Sequence, residues 1–437
     1  MLEKNFCSSP WFHLRIDPQG NYLPCRWGLA PKDIEYNISN TSITEYLQSD
    51  LMKHLRRQLL DGQSPDICTN CQYEQSMGKV SGRQKQLLKS GISDISFDKT
   101  FCSSPHWNNF EYSYKNHGQT QTTPVDLQID LGNTCNSACI MCSPKYSSRL
   151  DNEWKKLHKI YSLFPNMDIK PNWTDNQDLV DKFVDELNEL DSVKYIHFLG
   201  GETLYIKSFY DICDQMINNG SSKNIIMGTT TNCTVYDERV EHIIQNFKRV
   251  DLGLSIEAVT PLNDYVRWPG KIDQVTSNID KFLELRKTSN LFVSLRVTPN
   301  IFTIYHLDQM FEYMIDRQIT LESCNILFEP ATLRMELLPD NLRQDVITKL
   351  NRVVERHQLK RPDNKIINRR IEDNTNEIIN DLIFEYIDFL ENYDTPEDVD
   401  QHRSNLVESI KAIETLHKNT ILDYLPEYEE FLRSYGY

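Results

Sequence analysis

The sequence predicts an α/β protein built around a partial barrel of six parallel strands that alternate with helices. Two observations predict this class. Between residues 125 and 330, short runs of apolar and β-branched residues alternate with stretches that have the apolar spacing of helices. Residues able to do chemistry follow several of the runs, which is where barrel enzymes carry their sites. Periodicity alone also allows an open doubly wound sheet, and the strand-end residues favour the barrel.

The six predicted strands are short and end in polar or turn-forming residues. They span residues 125–131, 195–199, 224–230, 250–256, 291–297 and 323–328. The predicted helices between them carry apolar residues over 179–190, 240–247, 279–283 and 307–314. The interval 144–178 is too long for a simple connection, so we expect a helical insertion over the site.

A chain of 437 residues is long enough for more than one core, and its pattern divides it into three units. Residues 1–120 are expected to form a small cysteine-containing domain and residues 121–335 the barrel. Residues 336–437 have helical spacing throughout. We expect these helices to pack on the barrel, and the alternative is a partner-binding arm.

Composition and charge restrict the class of protein. A net charge of -16 argues against an extended nucleic-acid surface, because such binding uses clustered Lys and Arg. No apolar run reaches the roughly 18 residues of a membrane helix, and the N-terminus lacks the pattern of a signal peptide. We therefore expect a cytoplasmic protein without a membrane partner. Its eleven cysteines are then expected to be metal ligands or buried apolar side chains rather than disulfides.

Cys135, Cys139 and Cys142 form a Cys-x3-Cys-x2-Cys pattern directly after the first predicted strand. Three closely spaced thiolates can hold three irons of a cubane cluster and leave the fourth iron open. A structural zinc site normally takes four protein ligands, and the nearest histidines, His106 and His158, are not at zinc-finger spacing. The pattern therefore favours an iron–sulfur cluster with an open coordination position.

The stretch Cys135-Asn-Ser-Ala-Cys139-Ile-Met-Cys142 resembles the signature of the radical S-adenosylmethionine (SAM) superfamily. The family usually has an aromatic residue before the last cysteine, packed near the adenine, and this chain has Met141. Gly200-Gly201-Glu202 follows the second predicted strand, where the family's Gly-Gly-Glu motif holds the amino group of the SAM methionine. The resemblance covers about residues 125–330 and implies a [4Fe-4S] cluster on the three cysteines.

Other strand-end residues fit the same resemblance. By it, Ser255 would meet the ribose of SAM and Arg267 its carboxylate. Asn232 belongs to a stretch that resembles the family's Thr-Asn-Gly, with Cys233 in place of glycine. Glu257 replaces a commoner aspartate, and its role is open. For Ser255 and Arg267 the alternatives are an ordinary strand-end hydroxyl and a surface ion pair.

The resemblance also implies an activity. In the family, one electron from the reduced cluster breaks a carbon–sulfur bond of SAM, and the 5'-deoxyadenosyl radical takes a hydrogen atom from the substrate. The implied cofactors are thus a [4Fe-4S] cluster and SAM, with a reducing partner such as flavodoxin or ferredoxin. We expect a peptide or protein substrate. Aminosugars and nucleotides are alternatives, because fold does not fix function.

Four cysteines near the N-terminus lie in two groups that can close a metal site: Cys7, Cys25, Cys68 and Cys71. Residues 10–25 have the pattern of a hairpin, which would bring Cys7 and Cys25 together. The spacing from Gly20 to Cys25 resembles the twitch domain, a shortened SPASM domain, and implies an auxiliary iron–sulfur cluster.

Two alternatives concern this second site. Zinc is the rival occupant, because paired cysteines are its usual signature, and Cys102 is a spare candidate ligand for either metal. For the whole chain, the alternative to an enzyme is a zinc-stabilised interaction protein with a non-catalytic barrel.

Overall fold

The structure is a computed structural model that describes residues 5–26, 28, 35–76, 81–89, 107–321, 325–361 and 375–437. Its N-terminal region contains, in chain order, α1 (Ser9–Phe12), β1 (His13–Ile16), β2 (Tyr22–Leu23), α2 (Ile43–Leu47), α3 (Asp50–Leu60), α4 (Thr69–Ser76), α5 (Gly82–Lys89) and α6 (Trp107–Lys115).

The central region alternates strands and helices, as the sequence pattern predicts. Its elements are β3 (Asp126–Asp130), α7 (Ser148–Leu157), α8 (Gln177–Asn188), β4 (Tyr195–Leu199), α9 (Lys207–Asn218), β5 (Ile226–Thr231), α10 (Glu238–Asn246), β6 (Arg249–Ser255), α11 (Leu262–Val266), α12 (Ile272–Leu285), β7 (Leu291–Arg296) and α13 (Leu307–Arg317). The predicted α/β architecture is confirmed, and α7 lies in the expected insertion.

The C-terminal region is helical, as predicted, with α14 (Asp340–Arg356), α15 (Thr375–Asn392), α16 (Val399–His417) and α17 (Glu429–Ser434). Leu350, Leu382 and Leu406 are fully buried, so these helices pack their apolar faces inward. Part of α16 covers the insertion, where Ala412 joins Leu157 and Phe164 in one apolar cluster. None of the helices in the described ranges is long and apolar enough to cross a membrane.

The described strands form one sheet in the order β2-β1-β3-β4-β5-β6-β7, and every neighbouring pair except β1 and β2 is parallel. The predicted N-terminal hairpin is present as the antiparallel pair β1 and β2. The pattern gave no sign that β1 would also pair in parallel with β3. The predicted boundary near residue 120 therefore falls between two strands of a single sheet.

The two faces of the sheet differ in polarity, because successive side chains of a strand point to opposite sides. Ile129 and Phe198 belong to the buried face that the helices cover. On the other face Gln128 pairs in register with His197, and Asp251 lies two strands further along the same row. His197 and Asp251 are partly exposed, so the inner face of the partial barrel is polar and accessible.

The sixth predicted strand, Ser323–Phe328, is wrong where it can be checked. Residues 325–328 form no strand, and residues 322–324 lie outside the described ranges. A single parallel bridge joins Leu295 to Leu321 instead. The side-chain amide of Asn325 donates to the Val297 carbonyl over 2.9 Å, and thereby occupies an acceptor that a backbone ladder would use.

A buried cation ties the N-terminal region together. Arg56 on α3 is completely buried and donates to the carbonyl oxygens of Pro10, Leu47 and Gly118, at 2.9, 2.8 and 3.1 Å. Burial lowers its pKa to about 10. Three segments that are distant in sequence thus share one guanidinium, whose planar fork suits several acceptors at once.

Candidate active site

The three cysteines predicted as cluster ligands share one loop that leaves the C-terminal end of β3. Cys139 is buried, whereas Cys135 and Cys142 are partly exposed. Burial and, to a smaller extent, the neighbouring Cys139 and Cys135 raise the pKa of Cys142 to about 12. Burial likewise raises the pKa of Cys135 to about 11. Thiols of this kind become thiolates when a metal replaces the proton, so the donor set fits an iron–sulfur cluster better than a free nucleophile.

The cysteine loop is held by the backbone at the end of α11 and just after it. The amides of Ala138 and Ile140 donate to the carbonyls of Trp268 and Val266, at 2.7 and 3.0 Å. This pairing sets Arg267 beside the loop, near Cys139. Burial alone would lower the pKa of Arg267, but the charges of Cys139 and Glu257 raise it above its usual value.

Asn232, at the end of β5, fastens the same loop from another side. Its side-chain amide donates to Asn136 Oδ1 at 2.8 Å and to Ser137 Oγ at 3.0 Å. Asn136 in turn donates to Thr234 Oγ1 at 2.8 Å. Sequence reasoning named Asn232 but missed Asn136, because these partners lie almost a hundred residues apart along the chain.

The first turn of α7 is a third support that sequence reasoning missed. Ser148 Oγ accepts from the amide of Cys135 at 3.2 Å, and Ser147 Oγ donates to the carbonyl of Ser137 at 2.6 Å. Ser147 also caps α7 by accepting from Leu150 N. The beginning of the insertion therefore fixes the shape of the cysteine loop.

Gly201 lets the Gly-Gly-Glu stretch lie directly against the cysteine loop. A Cβ atom on Gly201 would come within 2.4 Å of the Thr134 carbonyl oxygen and 2.7 Å of Cys135 Cβ. The next amide, of Glu202, donates to that same Thr134 carbonyl at 3.0 Å. Glycine is thus required here by close approach, and the contact fixes Glu202 next to the cysteines.

Glu202 is a buried carboxylate with only 1% of its surface exposed. It accepts hydrogen bonds from Thr231 Oγ1 at 2.7 Å, from Leu204 N at 3.1 Å and from Asn232 N. Burial raises its pKa even so, while these bonds and the charge of Arg267 act in the opposite direction. A bound ammonium group would favour the ionised form of such a carboxylate.

Glu257, whose role the sequence leaves open, pairs with Arg267. Its Oε1 accepts from Arg267 Nη1 at 2.9 Å and its Oε2 accepts from Thr298 N at 2.7 Å. Both charged side chains are largely buried, so Arg267 is not a surface ion pair. Within the described ranges no other acceptor bonds to this guanidinium, which has five N–H donors and so retains capacity for a second carboxylate.

Two further predicted residues lie at the edges of this site. Ser255 is partly exposed at the C-terminal end of β6, and Met141 is partly buried against the core. Their contacts with ribose and adenine remain predictions.

The four N-terminal cysteines line one small pocket: Cys7, Cys25, Cys68 and Cys71. The hairpin brings Cys7 and Cys25 together as predicted, and α4 with the turn before it supplies the other two. Burial, followed by the neighbouring Cys25, raises the pKa of Cys7 and of Cys68 to about 12 in each case. Cys102 lies outside the described residues.

Among the described residues, no three side chains of His, Cys, Asp or Glu converge in a way that could hold one metal ion. The four N-terminal thiols line one pocket, where a cluster could offer a separate iron to each thiolate.

Comparisons with known proteins agree with these two groups of residues. Residues 129–311 match the model of the radical SAM superfamily, and residues 7–72 match that of SPASM, an iron–sulfur cluster-binding domain. The first range contains the cysteine loop, Glu202 and Arg267, and the second contains all four N-terminal cysteines. No curated protein matches the chain.

Several solved structures match part of the chain at low similarity. One is anSMEcpe with bound AdoMet, at 18% identity over 54% of this chain and 62% of its own, with a TM-score of 0.38. Another is Streptococcus suis SuiB bound to S-adenosylmethionine, at 13% identity over 81% of this chain and 71% of its own, with a TM-score of 0.33. A third is SuiB bound to precursor peptide SuiA, at 14% identity over 81% of this chain and 69% of its own, with a TM-score of 0.34. The chain spans less than two thirds of the length of anSMEcpe.

Proposed function

We propose, on the premise that the chain belongs to the radical SAM superfamily and carries an N-terminal SPASM domain, that it cleaves SAM reductively and uses the 5'-deoxyadenosyl radical to take a hydrogen atom from a peptide or protein. The superfamily makes the chain an enzyme that uses a [4Fe-4S] cluster and SAM. The SPASM domain implies further iron–sulfur binding.

One observation carries the assignment of the SAM site: a buried carboxylate and a buried guanidinium lie beside the cysteine loop. Glu202 contacts the loop through Thr134, and Arg267 lies within the segment that pairs with Ala138 and Ile140. Burial raises the pKa of Glu202, and the charge of Arg267 is close enough to oppose that rise. Such a pair matches the ammonium and carboxylate of an amino acid.

The proposed roles follow from these positions. Cys135, Cys139 and Cys142 would hold the cluster, which when bound supplies an electron and an open iron that chelates SAM. Glu202 would bind the amino group of SAM and Arg267 its carboxylate. Asn232 and Glu257 are positioning residues, because one holds the cysteine loop and the other holds the guanidinium.

We propose that the second pocket holds an auxiliary iron–sulfur cluster on Cys7, Cys25, Cys68 and Cys71. The tight grouping of four thiols in a range that matches an iron–sulfur domain supports this ligand set. Zinc is the competing occupant, and metal analysis separates the two.

We propose a peptide or protein as substrate because the accessible inner face of the sheet is rich in hydrogen-bonding groups. Tyr195 and His197 are partly exposed there and bonded to each other at 3.1 Å between the hydroxyl and Nδ1. Amide groups along a peptide can use such donors and acceptors. The reductive step also needs an electron, for which we propose flavodoxin or ferredoxin in a cytoplasmic setting that keeps the thiols reduced.

The test is SAM cleavage by protein reconstituted with iron and sulfide without oxygen and reduced with dithionite. Wild type should release 5'-deoxyadenosine, measured by liquid chromatography, and the triple variant Cys135→Ala/Cys139→Ala/Cys142→Ala should not. Cys213→Ala is the matched control, because Cys213 is fully buried on α9 and should leave cleavage unchanged. A zinc-stabilised interaction protein would be colourless and inactive, and cleavage by the triple variant would show that the ligands are wrong.

A further inference from the structure

The pocket that contains Cys7, Cys25, Cys68 and Cys71 has a cation in its wall. Among the described residues that line this pocket, Arg83 is the only one with a charged side chain besides the thiols themselves. Arg83 is the second residue of α5, and it is partly exposed. A guanidinium therefore lies beside the four sulfur atoms.

The first turn of α5 is fixed against α4, the helix that carries Cys71. The backbone N–H of Gly82 donates to Glu74 Oε2 at 3.0 Å. The side-chain amide of Gln75 donates to Ser81 Oγ at 2.6 Å. Two hydrogen bonds from different side chains of α4 thus hold the beginning of α5 next to the cysteine pocket.

Neutral groups hold the guanidinium of Arg83 in place. Its Nη1 donates to Asn5 Oδ1 at 3.3 Å, and its Nη2 donates to Gln75 Oε1. No carboxylate in the described ranges forms an ion pair with it. Its positive charge is therefore not neutralised by a partner from this part of the chain, and it acts on the nearby sulfur atoms.

The backbone and the side chain of Arg83 both act on the thiols of α4 and the turn before it. Burial raises the pKa of Cys71, and a hydrogen bond from the Arg83 backbone and then the Arg83 charge oppose that rise, whereas Cys25 and Glu74 add to it. Burial, Cys25 and Cys71 raise the pKa of Cys68 to about 12, and the charge of Arg83 again acts in the opposite direction. One residue thus offers an N–H donor and a positive charge to sulfur ligands.

These two features have a known effect on an iron–sulfur cluster. Hydrogen bonds to the sulfur atoms and the local charge are among the properties that set its reduction potential. A cluster on four thiolates gains one negative charge when it takes up one electron. A nearby cation therefore stabilises the reduced form more than the oxidised form.

We propose that Arg83 raises the reduction potential of the auxiliary cluster and so sets how readily this cluster accepts an electron. The inference rests on the auxiliary cluster of the proposed function. It goes beyond that function because it assigns a role to a residue that is not one of the four ligands.

A redox titration followed by electron paramagnetic resonance tests this on the reconstituted full chain. The triple variant Cys135→Ala/Cys139→Ala/Cys142→Ala is the starting protein, because only the N-terminal cluster remains in it, and dithionite supplies the electron. Adding Arg83→Gln removes the charge and should lower the midpoint potential by at least about 59 mV, which is a tenfold change in a one-electron equilibrium. Adding Arg83→Lys keeps the charge and should recover more than half of that shift.

Lys85→Gln is the matched control, because it removes the same charge from the same helix. Lys85 is exposed and does not line the pocket, so its replacement should leave the potential unchanged. Equal shifts in Arg83→Gln and Lys85→Gln, or no shift in either, would overturn the proposal. Equal falls in Arg83→Gln and Arg83→Lys would overturn it too, because the charge would not be the cause.

Iron analysis of the same preparations separates this inference from its premise. The triple variant should hold about four irons per chain. Absence of iron from it would refute the auxiliary cluster itself, whereas iron with an unshifted potential refutes the role of Arg83 alone. If Arg83→Gln loses its iron, Arg83→Lys decides: a potential close to that of the triple variant supports the proposal, and a fall of about 59 mV or more, or loss of iron here too, overturns it.

Discussion

Replacing Glu202 with glutamine should selectively remove recognition of the amino group of SAM. Glutamine has nearly the same shape, so the packing of this buried side chain is kept. The charge is lost, and the amide nitrogen of glutamine cannot accept the bond that Asn232 N now donates to the carboxylate. The cysteines are untouched, so iron content should stay at the level of wild type.

The magnitude follows from the value of a buried hydrogen bond between charged groups. Such a bond contributes about 1.5–3 kcal/mol, which corresponds to roughly a tenfold to hundredfold loss of SAM affinity. Part of any loss could come from a general disturbance of the pocket. Ligand analogues remove this ambiguity, because they delete the partner group from the other side.

The assay is therefore a crossed set of equilibrium binding measurements on the anaerobically reconstituted protein. Wild type, Glu202→Gln and Arg267→Met are each titrated with SAM, with its deaminated analogue and with decarboxylated SAM. Loss of the amino group also removes a ligand of the open iron, so it should weaken binding to all three proteins, but by less in Glu202→Gln than in wild type and Arg267→Met. Loss of the carboxylate should show the opposite pattern, with the smallest loss in Arg267→Met.

Each variant thus serves as the control for the other. Additive losses in both crosses would mean that neither residue contacts the group assigned to it, and the reasoning from the carboxylate–guanidinium pair would be refuted. The reverse assignment, with Glu202 at the carboxylate and Arg267 at the amino group of SAM, is not expected, because each residue would then face a group of its own charge.

Three further predictions follow. Glu257→Gln should weaken SAM binding less than Arg267→Met, and the loss should vanish with decarboxylated SAM, because Glu257 acts only through Arg267. Cys68→Ala/Cys71→Ala should lower iron, by atomic absorption, from about eight to about four per chain and still cleave SAM; a zinc site would lose zinc alone. Arg56→Lys should lower the free energy of unfolding by about 2 kcal/mol or more in urea titrations, because an ammonium cannot reach three carbonyls in the guanidinium geometry. An unchanged midpoint would contradict that role.

The local motifs were predictable from sequence because their chemistry is contiguous. The cysteine trio and Gly200-Gly201-Glu202 each follow a strand run, and the structure joins them through Gly201 and Thr134. Their assignment to SAM stays a prediction. The supports of the loop were not predictable, because Asn136 and Ser148 are ordinary polar residues until the fold brings their partners to them.

Pairing between distant strands was likewise beyond the sequence pattern. β1 has the length and composition of an ordinary hairpin strand. No residue close to it in sequence indicates that the side of β1 away from β2 pairs with β3, more than a hundred residues later. The sixth predicted strand failed for the opposite reason where residues 325–328 can be checked. Its apolar run suited a strand, but the Val297 carbonyl accepts from the side-chain amide of Asn325 rather than from a backbone N–H of that segment.

The parallel pairing of β1 with β3 determines how the two cysteine groups are related. Cys7 precedes β1 and Cys25 follows the antiparallel β2, so both lie at the end of the sheet where β3 begins. The ion pair between Arg26, next to Cys25, and Asp126, the first residue of β3, agrees with this placement. The loop that carries Cys135 leaves the other end of the sheet, at the C-terminus of β3. The five residues of β3 span about 16 Å at roughly 3.3 Å per residue, which keeps the groups apart. Under the proposed function, a substrate that contacts both groups would have to span at least this distance, which an extended peptide can do.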